Sequence, residues 1–356
     1  MTTECNRCLF TSDFAKIGEH QCEYCDIHDT LANNSDPLDL DYQLDKIERK
    51  GRGKKYDCLI GISGGLDSST LLYMAVRYWG MKPLVIHFDN GWNNDIAKQN
   101  MDNLVVKLSV DAIFYRVSKN EYDFLNDAFL RAGVPDADIP NDIAMTKLMY
   151  DTAHKYGIKY ILNGHDFREE GSTPAKWTYM DAEYIRSVYR DFCGLELKSY
   201  PLFTFKDQLL SWVRGIKQVR PFHYGFNRKP FEQAMISEIG WKSYGAKHCE
   251  NIYTEFVGAE LLPNKFGIDK RIVYLSARVR SGLMSKEDAR KEFANKPVFN
   301  YEKLASHRAR IQELMRSPIR ERSEFKKYNF KKYRLVIWFL YKTGVVPYTF
   351  YKKYCF

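Results

Sequence analysis

The amino-acid sequence predicts an α/β fold built on a parallel sheet with helices on both faces. Short apolar runs alternate with stretches of helical periodicity from about residue 57 onward, a cysteine-rich module precedes them, and further helical patterns follow. Buried strands separated by helices require right-handed crossovers, which place the strands parallel in one sheet. We therefore expect an N-terminal module, a sheet domain and a mostly helical C-terminal region.

The first strand is expected at 57–62, where the letters DCLIGI form a buried run, and apolar spacing predicts a helix at 68–78. The other predicted strands are 84–88, 113–117 and 158–162, and the other predicted helices are 97–108, 142–156, 203–216, 231–240 and 286–293. The stretch that follows residue 167 is aromatic-rich and is expected to be irregular. The polar linker ANNSDP and the change of pattern predict units at 1–36, 37–225 and 226–356.

The composition is that of a globular enzyme, with 45% hydrophobic and 28% charged residues. We expect a cytoplasmic protein, because there is no run of roughly 20 apolar residues and MTTECNRCLF lacks the pattern of a secretory signal. The net charge is +9, and the segment 320–356 alone holds ten lysines and arginines against two glutamates. A basic tail of this kind does not predict a catalytic face for nucleic acid.

Two CxxC pairs, Cys5–Cys8 and Cys22–Cys25, lie in the N-terminal module with 13 residues between them. Each pair presents two thiolates from one turn, and two pairs complete the tetrahedron of a structural zinc ribbon. A redox pair and an iron–sulfur cluster are the alternatives. With four cysteines available, we expect His20 and His28 to be surface residues.

The loop SGGLDS at 63–68 lies between the first predicted strand and the first helix of the sheet domain. Gly64 and Gly65 allow positive φ and close approach of a ligand. The serine hydroxyls and the N–H groups of the helix start add donors, which together suit a phosphate. The lysine of a Walker loop is not present in this pattern.

The SGGxDS pattern resembles the loop of PP-loop ATP pyrophosphatases, which have the adenine nucleotide alpha hydrolase-like (HUP) fold. The resemblance implies ATP as substrate, release of pyrophosphate, and an Asp67 that helps to place Mg²⁺ on the phosphates. It also implies adenosine contacts at the end of the second strand and a site closed by the loop after the fourth. The candidate ATP-binding residues are Gly61, Ile62, Ser63, Gly64, Gly65, Asp67, Ser68, His87, Phe88, Asp89, Gly164 and His165.

Several further blocks resemble the N-acetyl sugar amidotransferases, a PP-loop family that makes acetamidino sugars for bacterial surface polysaccharides, lipopolysaccharide O-antigen or flagellin glycans. The blocks are FDNGWN at 88–93, DIPND at 138–142, WKSYGAKHCE at 241–250, LPNKFGIDKR at 262–271 and the segment 276–289. The resemblance covers roughly residues 5–295. It implies that an acetamido oxygen is adenylated and that ammonia then replaces AMP.

The substrate implied by this resemblance is a nucleotide-activated diacetamido sugar, which is anionic and needs cationic partners. The candidate catalytic residues are Asp67, Lys247, His248, Lys265 and Arg271. A solvated charged surface is the alternative explanation for the basic ones. We expect that this chain does not make its own ammonia, and the resemblance implies a partner that supplies it, a glutaminase with a cyclase-type barrel subunit.

Two other functions stay open. A tRNA thiolase would adenylate a base carbonyl before sulfur attack, and its N-terminal CxxC pairs and basic tail would suit RNA. A nucleotide-binding regulator with a degenerate site would not need the intact loop. For the tail at 328–356, we expect either a peripheral contact with membrane or another subunit, or a helical pair packed on the core.

Overall fold

The computed structural model describes residues 2–225, 227–245, 247–295, 301–314 and 324–356. Within these ranges five strands form one fully parallel sheet of order β3-β2-β1-β4-β5. The strands are β1 (Cys58–Gly61), β2 (Pro83–Asp89), β3 (Ala112–Arg116), β4 (Tyr160–Leu162) and β5 (Lys217–Val219). The predicted fold class and its four predicted strands are confirmed. The pattern does not predict β5, because its letters, KQV, are too few and too polar.

Sixteen α-helices are found in the described ranges. They are α1 (Glu23–Asn33), α2 (Pro37–Gly51), α3 (Leu66–Arg77), α4 (Asp95–Leu108), α5 (Lys119–Arg131), α6 (Ile139–Lys155), α7 (Ala182–Cys193), α8 (Phe205–Val213), α9 (Lys229–Ile239), α10 (Ile252–Phe256), α11 (Leu262–Phe266), α12 (Arg271–Arg280), α13 (Lys286–Ala294), α14 (Tyr301–Leu314), α15 (Arg334–Lys342) and α16 (Tyr348–Tyr354). A π-helical turn, Val257–Leu261, joins α10 to α11. The stretch after 167, expected to be irregular, contains α7.

The strands β1, β2 and β4 are buried on both faces of the sheet, which explains why they read as continuous apolar runs. Alternate residues of β1 point to opposite faces: Leu59 joins one core cluster, while Cys58 and Ile60 join the other. Helices α5, α6 and α7 cover the first face, and α3, α4 and α9 cover the second.

The parts of the chain outside the sheet pack onto it and onto each other. Tyr253 and Ile311 belong to the core cluster of the first face, and Met235 and Ile239 belong to that of the second. The cysteine module shares a third cluster with α12 and α13. These clusters cross positions 36 and 225, where unit boundaries are predicted, and position 226 itself lies outside the described residues.

The basic tail forms the helical pair α15 and α16, which packs on α8 through Ile337, Val345 and Val346. Positions 320–323 of the basic segment lie outside the described residues. In the described part of the chain, each helix is too short or too polar to cross a membrane.

Candidate functional site

The SGGLDS loop turns from the end of β1 into the start of α3. Gly64 has φ 77°, and a Cβ atom there would lie 2.3 Å from the carbonyl oxygen of Ala97. The Gly64 carbonyl accepts hydrogen bonds from Asn100 Nδ2 at 3.2 Å and from Trp241 Nε1 at 3.1 Å. Only glycine fits this position, and the loop is held by side chains from α4 and from the segment after α9.

The start of α3 supplies donors for an anion. Gly65 is the N-cap of this 12-residue helix and has no side chain that could occupy the N–H groups of the first turn. The hydroxyl oxygens of Ser63 and Ser68 are 3.4 Å apart beside these groups. A Cβ atom on Gly65 would lie 3.0 Å from Ser63 Oγ and would narrow the space beside the two hydroxyls and the start of α3. The geometry fits a phosphate at a helix N-terminus.

Asp67 lies between two cations. Its carboxylate is 2.9 Å from Arg228 Nη1 and 3.2 Å from Lys247 Nζ. Lys247 also lies 3.4 Å from Glu170 Oε1. Burial opposes ionisation of Asp67, but the charges of Lys247 and Arg228 outweigh it and lower the pKa. Burial raises the pKa of Glu170 to about 8, the charge of Lys247 opposes the rise, and that of Asp67 adds to it.

Two sequence blocks that are far apart in the chain are joined at this site. Asn94 donates from Nδ2 to the Cys249 carbonyl at 2.6 Å, and its backbone N–H donates to the Glu250 carbonyl at 2.9 Å. Asn100 exchanges hydrogen bonds of 2.9 Å with both backbone groups of Lys242. The GWN turn and α4 thus hold 241–251 across the loop, which brings Lys247 to Asp67. Ala246 of this block lies outside the described residues.

His248 follows Lys247 with φ 65°, a left-handed conformation that costs a non-glycine residue about 1–3 kcal/mol. Its ring lies 5.8 Å from that of Tyr274. Burial lowers the pKa of His248 to about 3, so the ring is neutral at pH 7. The segment supplies one cation and one neutral imidazole to the site.

The loop opens into a cleft of about 2300 Å³ at the carboxyl edge of the sheet. Gly164 and His165 line it beyond β4, and His165 Nδ1 lies 3.2 Å from His223 Nε2. Burial lowers the pKa of His165 to about 4 and that of His223 to about 3. Residues of the tail between Tyr341 and Tyr354 line the far side of the cleft.

Most of the predicted ATP-binding residues line this cleft. They are Gly61, Ile62, Ser63, Gly65, Asp67, Ser68, His87, Phe88, Gly164 and His165. His87 also ties the strand ends together, because its Nδ1 lies 2.8 Å from the Ile62 carbonyl and its Nε2 lies 2.7 Å from Asn93 Nδ2. Asp89 faces away: its carboxylate accepts from Arg116 at 2.9 Å and from the Gly91 N–H at 3.0 Å.

Three of the predicted catalytic residues, Asp67, Lys247 and His248, meet in the cleft, and Lys265 and Arg271 do not line it. The Arg271 guanidinium pairs with Asp269 at 2.7 Å. It also donates to three carbonyls at the end of α13, those of Glu292, Phe293 and Asn295. Lys265 Nζ lies 5.8 Å from the Phe266 ring. Arg271 is therefore placed to stabilise the α12–α13 pair.

The cysteine module brings Cys5, Cys8, Cys22 and Cys25 together, each fully buried. Four of the six pairs of Sγ atoms are 3.6–3.8 Å apart, and all four atoms lie within 4.8 Å of one another. The Arg280 guanidinium lies 3.2 Å from Cys8 Sγ and adds a positive charge beside the thiolates. The expected metal-binding cluster is thereby formed.

The module is connected to the cleft through α12. Leu9 N–H donates to Ser276 Oγ at 3.3 Å, and Ser281 Oγ donates to the Arg168 carbonyl at 3.1 Å. His28, expected at the surface, is buried and lies 3.0 Å from the same Ser281 hydroxyl. The prediction for His28 is wrong, because the imidazole bridges α1 to α12.

Sequence reasoning missed Arg228, Glu169, Glu170 and Glu250. The first three lie outside recognisable motifs. Glu250 is the last residue of the block at 241–250, but the resemblance assigns it no role. Glu250 Oε1 is 3.5 Å from Ser63 Oγ, and burial raises its pKa. Glu169 and Glu170 follow the predicted strand 158–162 only after several residues, and Arg228 and Glu250 follow no predicted strand closely, so the sequence carries no signal for these positions.

Comparisons with known proteins agree with this site. Residues 250–339 are similar to the family described as LPS biosynthesis protein WbpG-like, C-terminal domain. An uncharacterised protein of Methanocaldococcus jannaschii is 24% identical over 83% of this chain and 94% of its own length. A tRNA-specific 2-thiouridylase of Aliarcobacter butzleri is 26% identical over 43% of this chain, which covers 47% of that protein.

An NH3-dependent NAD synthetase from Campylobacter jejuni has a similar structure, with 13% identity, a TM-score of 0.35 and coverage of 78% of this chain and 94% of that one. This chain has the parallel sheet and the SGGLDS loop between β1 and α3 that the resemblance to PP-loop proteins predicts. Its C-terminal region is similar to that of WbpG-like lipopolysaccharide proteins. The resemblance to proteins of surface-polysaccharide synthesis is confirmed for residues 250–339.

The first prediction concerns the loop. Gly64→Ala should weaken binding of MgATP about tenfold or more, because the methyl group cannot coexist with the Ala97 carbonyl. Titration calorimetry measures the affinity. Gly80→Ala is the control: Gly80 has φ 62° and no described atom near the added carbon, so this change should lower stability by about 1–2 kcal/mol and leave the affinity unchanged. Wild-type affinity for MgATP in Gly64→Ala would contradict the assignment of the SGGLDS loop as the phosphate-binding site.

The second prediction separates Lys247 from Arg271. Lys247→Ala should lower kcat/KM by about 10²-fold with little change in Tm, because it removes a cation from the phosphate side of the cleft. Arg271→Ala should lower Tm and leave kcat/KM within about twofold at a temperature where the protein stays folded. Steady-state kinetics and thermal unfolding check both variants. A loss of kcat/KM in Arg271→Ala without unfolding would show that Arg271 acts in the catalytic site.

Proposed function

We propose that this chain is an ATP-dependent, AMP-forming amidotransferase that converts an acetamido group of a nucleotide-activated diacetamido sugar into an acetamidino group, for bacterial surface polysaccharide such as O-antigen. The observation that carries the proposal is that one cleft contains both the SGGLDS loop and Glu250, Asn251 and Thr254. These three residues open the region similar to the lipopolysaccharide domain. The phosphate site and a glycan-specific region would thus face one substrate.

The reaction has two steps. The acetamido oxygen attacks the α-phosphorus of ATP, the bond to pyrophosphate breaks, and the amide becomes an O-adenylated imidate. The amide N–H proton is lost to solvent when the imidate forms. Ammonia then forms a bond to the imidate carbon, and the C–O bond breaks with its electron pair on AMP. Two protons of ammonia stay on the new nitrogen and the third moves to the original nitrogen, so the product is an amidinium. Both steps need alignment of reactants and stabilisation of negative charge more than proton transfer.

The residues present fit this chemistry. The loop and the start of α3 would hold the pyrophosphate portion of ATP. Asp67 and Glu170 would hold Mg²⁺, since magnesium in such sites takes one or two carboxylates together with substrate phosphates. Bound Mg²⁺ would neutralise phosphate charge. Lys247 and Arg228, which lie beside these carboxylates, would pair with phosphate oxygens of the nucleotide. His248, being neutral, could donate one hydrogen bond to the substrate without repelling a cation.

A tRNA thiolase would share the adenylation step and then need sulfur. No cysteine is found among the described residues that line the cleft. Outside the metal cluster, Cys58, Cys249 and Cys355 are buried, and Cys193 contacts the Phe124 carbonyl. A nitrogen nucleophile from solution or from a partner suits this cleft better. We propose that the partner is a glutaminase with a cyclase-type subunit, which would deliver ammonia directly.

We propose that the cysteine cluster binds one structural Zn²⁺. Four ligands about 2.3 Å from a central ion in a tetrahedron are about 3.8 Å from one another. The observed separations of 3.6–3.8 Å agree with this value. A four-iron cluster attaches each thiolate to a different iron and spreads them farther apart. The four buried cysteines also leave no open position for chemistry.

The third prediction tests the reaction. With ATP, Mg²⁺, a nucleotide-linked diacetamido sugar and ammonium chloride at high pH, the chain should release AMP and pyrophosphate and form an amidino product detected by mass spectrometry. Glutamine alone should give none until the partner is added. Asp67→Asn should lower turnover by about 10²-fold or more, whereas Asp95→Asn, at an exposed carboxylate, should not. Release of ADP and phosphate, or amidine from glutamine with the chain alone, would contradict the proposal.

The fourth prediction tests the metal. Protein prepared without added metal should contain about one zinc per chain and no inorganic sulfide, because the cluster is a closed four-thiolate site. Elemental analysis and visible absorption measure both. Cys22→Ser should lose zinc and lower Tm, and Cys193→Ser is the matched control outside the cluster. Iron with sulfide in place of zinc would refute the assignment.

A further inference from the structure

Helix α15 exposes a row of large apolar side chains. Leu335 is 76% and Phe339 is 60% exposed, and Val336 and Trp338 beside them are also exposed. Ile337 on the opposite side is 2% exposed and packs against Val345 and Val346. The helix therefore uses one face to hold the tail together, and the exposed side chains of its other face belong to none of the core clusters of the described residues.

Cations surround this face. Lys331, Lys332, Arg334 and Lys342 are exposed at its two ends. The sequence from 325 to 356 contains no aspartate or glutamate. Lys342 Nζ lies 5.7 Å from the Trp338 ring, which keeps one ammonium group beside an aromatic group of the same face. The surface combines large apolar side chains with positive charge.

The tail presents this face on a fixed base. Gln208 Nε2 on α8 donates to the Val345 carbonyl at 2.7 Å, and the Phe330 N–H donates to the Tyr354 carbonyl at 2.8 Å. Phe205 stacks on Phe350 with ring centroids 5.8 Å apart. Lys352 pairs with Glu23 of the cysteine module. These contacts use residues on the inner side of the helical pair and leave the outer side of α15 directed to the surroundings.

We propose that this face of α15 binds the surface of an anionic phospholipid bilayer, with the helix lying in the plane of the headgroups. Leu335 and Phe339 would enter the acyl boundary, Trp338 suits the interfacial layer, and the four cations would pair with lipid phosphates. A nine-residue helix buries little area, so apolar insertion and charge would both be needed. A protein partner would require acidic complementarity for every cation, whereas an anionic membrane supplies it without a matched sequence.

The experiment is co-sedimentation of the full chain with vesicles of phosphatidylcholine alone and of phosphatidylcholine with phosphatidylglycerol. We expect binding to the anionic vesicles, about tenfold or more weaker binding to the neutral ones, and loss on raising the salt concentration. The Leu335→Glu/Phe339→Glu double variant should lose about tenfold or more of the binding. The control is Leu38→Glu/Val106→Glu, which changes two apolar residues that are 76% and 74% exposed on α2 and α4. It should bind like the wild type.

Unfolding temperatures within a few degrees of the wild type establish that both double variants are folded. Failure of the wild-type chain to bind anionic vesicles would overturn the proposal, as would an equal loss in the control. Self-association that disappears in Leu335→Glu/Phe339→Glu, without any vesicle binding, would assign the face to a protein contact and would also overturn it. None of these outcomes depends on the amidotransferase reaction.

Discussion

The carbonyl oxygen of Gly64 receives hydrogen bonds from Asn100 on α4 and from Trp241 after α9, and the geometry of the site depends on this pair. The two donors hold the peptide of Gly64, which has φ 77°, at the turn from β1 into α3. Because the same Asn100 also binds both backbone groups of Lys242, the loop and the segment that carries Lys247 are held by one amide. A shift of the loop would therefore also move the segment that carries Lys247, and the reverse.

The charges of the site are balanced in pairs. Two carboxylates, Asp67 and Glu170, share Lys247, and Arg228 adds a second cation on the Asp67 side. Burial favours the protonated form of a carboxylate, and for Glu170 burial and the charge of Asp67 outweigh Lys247 and raise the pKa to about 8. The arrangement is suited to a ligand that brings both negative phosphates and a divalent cation. The cation would take the place of Lys247 and Arg228 beside the carboxylates, and the phosphates would take the place of the carboxylates beside Lys247 and Arg228.

The sequence predicts the sheet, the loop and the cysteine cluster well, because each depends on local pattern: apolar runs, adjacent glycines and CxxC spacing. Asp67, Lys247 and His248 are found together, as the motif resemblance implies. Arg228 and Glu170 could not be predicted, since their role arises from crossovers that bring distant segments to one sheet edge. Arg271 has the charge expected of a residue that binds an anionic substrate. Its five N–H groups, however, donate hydrogen bonds to the Asp269 carboxylate and to carbonyls at the end of α13. Charge in a motif does not reveal which way a side chain points.

The cysteine module packs against a helix made much later in the chain: Arg7 donates to the carbonyl of Arg280, 273 residues away. At translation rates of about 5–20 residues per second, the module therefore waits on the order of tens of seconds for α12. During that interval Leu9 and Phe10, buried in the finished protein, have no partner from α12. A metal ion taken up early would keep the two knuckles compact on the ribosome. The order of metal loading and synthesis would then decide how much of the newly made protein reaches the folded state.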